Sequence, residues 1–377
     1  MSPQQAEEMD PDEGEVPPEY PTSEEIENLL SAIPSIPDEL RKRLHDAHCH
    51  PTDHSETLTL IDQEASGSLS AMATRPNDQN IVEGFAADNP DSVVPFYGIH
   101  PWFAHLYAID ENQEHYKRIL KPAPPDDFAS HLPKPLSWED YLKELRDRLA
   151  ANPKAQVGEI GVDKSFRLPL YTNGERGVSS RKELSPYKTT QEHQLRLFTD
   201  QCKVAGEFNR AISVHGVQCH GLVFTTLQSL WKGHETKSKG HQKRQKKSFN
   251  GHPDDDEDEE NPPKSTSLPY PPRICIHSAS LPTDTVKQYL HQSVPSKVYF
   301  SFSTVINARY GQKLLDLILA IPDDRILIES DWHSEGPIRR SQLHDIARIV
   351  IHQKKWSIEA GIEKLEKNFF NFIYGDS

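Results

Sequence analysis

The chain has 377 residues, 35% of them hydrophobic, with 30 prolines and a formal net charge of −15. That charge is uneven: residues 1–30 carry ten acids and no Lys or Arg, and residues 233–264 carry eight acids against seven bases, which leaves about −4 for the remainder. A body so near neutrality excludes a strong cationic field acting on polyanions at distance, so any nucleic acid has to be gripped locally by bound cations and a few Arg or Lys side chains. No apolar run approaches the ~20 residues that span a bilayer, and the acidic start excludes a secretory signal, so no membrane association is expected.

Residues 1–43 read as an acidic, largely disordered tail, since 1–21 are dominated by Pro, Glu and Asp. Thr22 and Glu25 have capping-box spacing ahead of "IENLLSAI", which predicts a short helix, either packed on the body or offered to a partner. From residue 44 strand and helix signals alternate. Strands are expected at 44–49, 68–73, 93–99, 155–160, 211–215, 273–277, 297–303 and 325–331, several of them near-continuous apolar runs of the kind covered on both faces. Helices are expected at 78–88, 137–150, 188–208, 222–232, 282–291, 308–319, 339–352 and about 356–374. Eight strands with crossovers favour an α/β (β/α)₈ TIM-type barrel over residues 44–375, and no G-x-G-x-x-G follows the first strand to suggest a dinucleotide site. One segment, 233–272, breaks the rhythm as a disordered charged insert. Its basic run 243–247 reads either as a nuclear-import signal or as plain solvated sequence, neutralised by the seven consecutive acids from Asp254 to Glu260. Four widely spaced cysteines form no C-x-x-C pair, which fits buried thiols in a reducing compartment, cytoplasmic or nuclear.

Six side chains stand at the ends of these strands: His48 and His50 in "DAHCH", Glu159 in "GEIGVD", His215 in "SVHG", His277 in "CIHS" and Asp331 in "ILIESD". Imidazole and carboxylate hold catalytic divalent ions while leaving positions open, and converging strand ends are where such a barrel builds its site. His48 and His50, at i and i+2 on a strand, point to one face and can reach one ion. Asp46 either orients one of these imidazoles or is a barrel-mouth residue. His100 in "GIHPW" either meets a phosphate or donates to a backbone carbonyl, and Trp102 either stacks on a base or closes a loop. His220 reads as packing, His333 and Glu335 as rim residues.

As a set, "DAHCH", "GIHPW", "GEIGVD", "SVHG", "CIHS", "YFSFS", "RILIESD" and the late "NFF" resemble the landmarks of TatD-like metal-dependent deoxyribonucleases of the amidohydrolase superfamily. The resemblance implies two adjacent divalent ions (Mg, Mn or Zn). His48, His50 and Asp331 would hold the first, His215 and His277 the second, and Glu159 would bridge them. It also implies hydrolysis of DNA phosphodiesters, often from the 3′ end, with Glu159 and Asp331 as catalytic residues and Asp331 either a ligand only or also the acceptor of the water's proton. Two ions ~3.5–4 Å apart can clamp the attacking and leaving oxygens of a phosphoryl centre. The pattern departs from the family where Gly216 and Val217 follow His215 in place of the usual Ser-Arg. Arg167 either compensates as a phosphate contact or is a surface charge. "HSASL" and "DWHSEG" are further departures, and they put the substrate in doubt.

Two other readings stand beside this one. An amidohydrolase acting on a small molecule would often bridge its ions with a modified Lys, where this chain has Glu159. Alternatively, the barrel is an interaction scaffold: fungal relatives with long inserts are described as interactors of cell-cycle machinery, and the acidic tail or insert offers a surface for a protein partner.

Overall fold

Parallel pairing of the apolar runs organises this computed structural model, which describes residues 22–53, 67–110, 114–170, 184–236, 267–334 and 336–376. The disorder expected at 1–21 and across most of the insert, the basic run 243–247 and Glu335 all lie outside the described residues. Eight strands form one sheet: Asp46–Cys49 (β1), Leu69–Met72 (β2), Val93–Tyr97 (β3), Gln156–Asp163 (β4), Ala211–Val217 (β5), Arg273–Ile276 (β6), Lys297–Phe302 (β7) and Ile326–Ile328 (β8). They pair in sequence order and every pairing is parallel. The expected helices pack outside: Gln79–Asp88 (α2), Trp138–Ala151 (α3), Gln191–Glu207 (α4), His220–Trp231 (α5), Thr283–Tyr289 (α6), Gln312–Ala320 (α7), Pro337–Gln353 (α8) and Ile358–Tyr374 (α9), preceded by Glu24–Ala32 (α1). The result is the (β/α)₈ barrel expected from the alternation.

Hydrogen bonds at the strand ends bring the first and last strands together. Asp331 N donates to His48 O at 3.0 Å and His50 N to Trp332 O at 2.8 Å. Beneath them the Asp46 carboxylate accepts from Ser330 N (2.9 Å), Ser330 Oγ (2.6 Å) and Arg339 Nη1 (3.0 Å), and both Asp46 and Arg339 are fully buried. Asp46 therefore orients no imidazole; it ties β1 to β8 and α8.

The interior is layered because alternate residues of a strand share a face. Along β5 the inward series is Ala211, Ser213, His215; along β6 it is Arg273, Cys275, His277; along β8 and its extension it is Leu327, Glu329, Asp331. The lower layer is apolar. Ala47, Met72, Phe96, Cys275, Tyr299 and Leu327 pack against Phe369, Phe372 and Ile373 of α9, which stops the lower end of the barrel. Helix α9 is suited to this position: Ser357 Oγ accepts from Ala360 N to cap its start, and its apolar residues recur on one face.

Helix α1 packs on the barrel rather than standing free. Its N-cap is Ser23, one residue after the expected Thr22, with Ile26 N donating to Ser23 Oγ. Glu25 turns outward and accepts from Gln312 N at 3.0 Å, capping α7 instead of its own helix. Arg348 of α8 donates to the carbonyls of Leu30, Ile33 and Pro34, which fixes the other end.

Candidate metal centre

Register places the six expected ligand residues together. Gly161 of β4 lies opposite His215 of β5, and Val214 lies opposite Ile276, so His215 and His277 stand side by side one residue above. A Cβ on Gly161 would sit 2.0 Å from His215 O, so only glycine lets β4 and β5 approach this closely. Backbone in the left-handed region at Ser278 (φ 40°) and Asp331 (φ 52°) turns the chain just past the strand ends, a conformation costing ~1–3 kcal/mol in non-glycine residues and concentrated at functional sites.

Glu159 is the hub of the cluster. Its Oε2 lies 3.4 Å from Nε2 of both His48 and His50. Its Oε1 lies 2.8 Å from His215 Nδ1, 2.8 Å from His277 Nε2 and 3.4 Å from His100 Nε2. Asp331 Oδ1 is 3.4 Å from His50 Nε2 and 3.7 Å from His48 Nε2. Three overlapping groups bring ligand atoms within 4.8 Å of one another: His48, His50 and Asp331; His48, Glu159 and His277; His100, Glu159 and His215. All are buried except Asp331, which is half-buried.

Electrostatics follow from burying so many titratable groups in contact. Burial opposes ionisation of Glu159, but His100, His277 and His48 around it hold its carboxyl well below the usual range. Burial likewise opposes charge on His50, yet the Asp331 hydrogen bond and the Glu159 and Asp53 charges raise it to about 9. Burial also disfavours charge on His277, which Glu159 and Glu329 nevertheless lift well above its ordinary value. His100 behaves oppositely: burial pulls it down to about 4, so it is neutral near pH 7. Carboxylates balanced only by protons on histidines form a site in which a cation can replace those protons.

Several orienting residues were not singled out from the sequence. Ser213 Oγ lies 2.7 Å from His48 Nδ1 and fixes that ring from two positions below His215. Glu329 accepts from Ser278 N (2.7 Å), Ser278 Oγ (2.6 Å) and Ser301 Oγ, and lies 3.6 Å from His277 Nδ1. Asp163 Oδ2 accepts from Trp102 Nε1 at 2.7 Å and lies 3.3 Å from His215 Nε2. The signal for each was two- or four-residue spacing from a ligand residue on the same strand.

The other expected contacts divide. His100 faces the cluster; its Nδ1 accepts from Trp102 N at 3.2 Å, so it donates to no backbone carbonyl through that atom. Trp102, 42% exposed, stacks on Phe166 with centroids 5.1 Å apart and borders the cleft. Arg167 is exposed and is not among the residues lining the cleft; Arg75 and Arg309 are. His220 lines the cleft wall rather than serving only as packing, and His333 stands at the rim, its Nδ1 2.9 Å from Asp53 Oδ2.

Comparison with known proteins agrees with this geometry. The family described as TatD related DNase matches residues 45–374. The chain is 37% identical over 343 residues to the Cut9-interacting protein scn1 of Schizosaccharomyces pombe, covering 87% of this chain and 98% of that protein. It is 28% identical over 308 residues to the uncharacterized deoxyribonuclease YMR262W of Saccharomyces cerevisiae, covering 78% and 85%. The fold is that of YJJV, a TatD homolog from Escherichia coli K12, with a TM-score of 0.54 at 16% identity over 89% of this chain and 99% of that one. The chain belongs to the TatD related DNase family.

Proposed function

We propose that this protein is a two-metal phosphodiesterase that removes nucleotides from the 3′ ends of DNA. The observation that carries the reading is the bifacial contact of Glu159, one oxygen toward His48 and His50 and the other toward His215 and His277. The donor set fits divalent cations: all six ligands are nitrogen or oxygen, and His48 Nε2 and His50 Nε2 lie 3.2 Å apart beside carboxylate oxygens. In this assignment His48, His50 and Asp331 would hold one ion and His215 and His277 the other, with Glu159 available to both. Bound ions would supply Lewis acidity and a water activated at neutral pH.

The protein's own groups do the rest. Presenting the His48 Nε2 lone pair to the site requires the ring proton on Nδ1, where Ser213 Oγ accepts it. Asp163 positions His215 and Trp102 together. Asp331 takes the proton of the attacking water, and His100, neutral and beside Glu159, contacts the substrate phosphate. Glu159 stands where many hydrolases of C–N bonds carry a modified Lys, which supports the phosphodiester reading. The test is metal analysis of the purified protein together with assays on single-stranded DNA blocked at either end. Wild type should bind metal and degrade strands with a free 3′ end, Glu159→Ala should do neither, and identical behaviour of the two would sink the enzymatic reading.

A second reading rests on the name of the 37% identical relative, a Cut9-interacting protein. We propose that this chain also binds a protein partner of that kind, and that binding is separable from hydrolysis. Co-precipitation with the equivalent of Cut9 should survive Glu159→Ala; loss of capture in that variant would tie the two together.

A further inference from the structure

Two cavities meet beside the metal-ligand cluster. The first, about 560 Å³, contains the cluster and is walled on one side by Val305, Ile306, Arg309 and Tyr310. The second, about 410 Å³, is walled by Leu281, Pro282, Leu314 and Leu317. Ser280 and Tyr310 line both, so the two cavities adjoin at these residues.

The junction is chemically distinct. Tyr310 is 39% exposed, although large aromatic side chains are usually buried. The Arg309 guanidinium lies 5.2 Å from the Tyr310 ring centroid and has no carboxylate partner among the described residues. Lys313 lines the second cavity and is likewise without an acid partner there, whereas the one carboxylate, Asp316, accepts from Gln312 Nε2 at 2.8 Å. Both cations and the tyrosine belong to the segment following β7, and in barrels of this class phosphate sites are built by the loops after strands seven and eight. An exposed aromatic, unpaired cations and an apolar hollow are together the elements that hold a single nucleic-acid strand by stacking and charge.

We propose that the second cavity is a subsite for the nucleotide adjoining the scissile phosphodiester of a single-stranded DNA end. Tyr310 is the stacking platform for its base and Arg309 the contact to its backbone phosphate. This rests on the nuclease reading above and deepens it: the first cavity takes the terminal nucleotide, and the second, beside Tyr310, takes the strand that remains. It also assigns to Arg309 the phosphate grip that the sequence had offered to Arg167.

The test separates the two claims by measuring binding without catalysis. Full-length wild type, Tyr310→Ala and Arg309→Ala are titrated with a 5′-fluorescein-labelled short oligothymidylate in EDTA and followed by anisotropy. Tyr310→Ala should raise Kd about 5- to 150-fold, as expected for one stacked base. Arg309→Ala should weaken binding and reduce the salt slope by about one. In the presence of metal, Tyr310→Ala should also lower the ratio of kcat/KM for the oligonucleotide to that for bis-p-nitrophenyl phosphate, which carries no nucleobase and no second phosphate. If Tyr310→Ala leaves both Kd and that ratio unaltered, the subsite is wrong while the nuclease reading stands. If wild type binds the oligonucleotide in a Tyr310-dependent way but cleaves nothing, Tyr310 is a strand-binding contact only, and both the nuclease reading and the subsite's place beside a scissile bond fail. If it hydrolyses only the small ester and binds no oligonucleotide, both fail.

Discussion

Arg339→Ala should destabilise this protein more than its position on an outer helix suggests, because Arg339 is one half of the pair that ties β8 to β1. Asp46 and Arg339 are fully buried with Oδ2 and Nη1 3.0 Å apart, and the other donors to Asp46 are the neutral Ser330 N, Ser330 Oγ and His48 N. Truncating the arginine leaves a carboxylate in the interior facing neutral donors alone, and breaking a buried pair from one side costs ~3–5 kcal/mol. For a chain of this size that corresponds to roughly 4–8 °C in Tm. His48, His50 and Asp331 flank this seam, so metal affinity should fall in parallel. The assay is urea unfolding of metal-free and metal-loaded protein followed by tryptophan fluorescence. The double variant Asp46→Asn/Arg339→Met removes both charges and should recover at least half of the loss. A single variant within ~1 kcal/mol of wild type, or a double variant no better than the single, would refute the account of the seam.

Glu159→Gln keeps the shape of the hub but removes its charge, so metal content measured after dialysis should drop and nuclease activity vanish. Asp163→Asn should lower metal affinity ~10–100-fold with little loss of fold, because it releases His215 and Trp102 rather than removing a ligand; calorimetric metal titration reads this directly. Gly161→Ala drives a methyl into His215 O and should cost ~1–3 kcal/mol by overpacking, seen as a lower urea midpoint. His105 and His193 are buried away from the metal centre, donate to or face backbone carbonyls, and are pulled by burial down to about 3 and about 4. Both are neutral when folded, whereas the unfolded chain protonates them below pH ~6.5, so their contribution is complete above that pH and is lost as pH falls. The loss amounts to roughly 2 kcal/mol each at pH 5, and His193→Gln should flatten the stability profile between pH 6.5 and 5 by about one proton.

The strands could be read from the sequence because a strand covered on both faces is a short apolar run whatever its neighbours are. The candidate ligand residues were legible from their order: a His or carboxylate at one strand end says little, but such groups at the ends of five of these apolar runs point to one cluster. Local caps were harder to assign. The capping-box spacing pointed to Thr22, whereas Ser23 caps the helix and Glu25 accepts from Gln312 N nearly three hundred residues away. Arg167 is near Glu159 in sequence but does not line the cleft, whereas a barrel gathers its mouth from every strand end and brings Arg75 and Arg309 there.

What escaped the sequence reading follows a rule that the interior layers make explicit. Ser213 lies two residues below His215, Glu329 two below Asp331 and Asp163 four above Glu159, each on the inward face of its strand. Yet Ser213 serves His48, Glu329 faces His277 and Asp163 serves His215, each on a different strand from its own ligand. Period two along one strand therefore tells which side chains enter the barrel, but register between strands decides which ligand each one orients. That arrangement also depends on close approaches such as Gly161 against His215, where a single methyl would meet backbone and force the two strands apart. The hub carboxylate can face two groups of histidines only while that approach holds, so the chemistry of the site depends on a glycine that carries no chemistry itself.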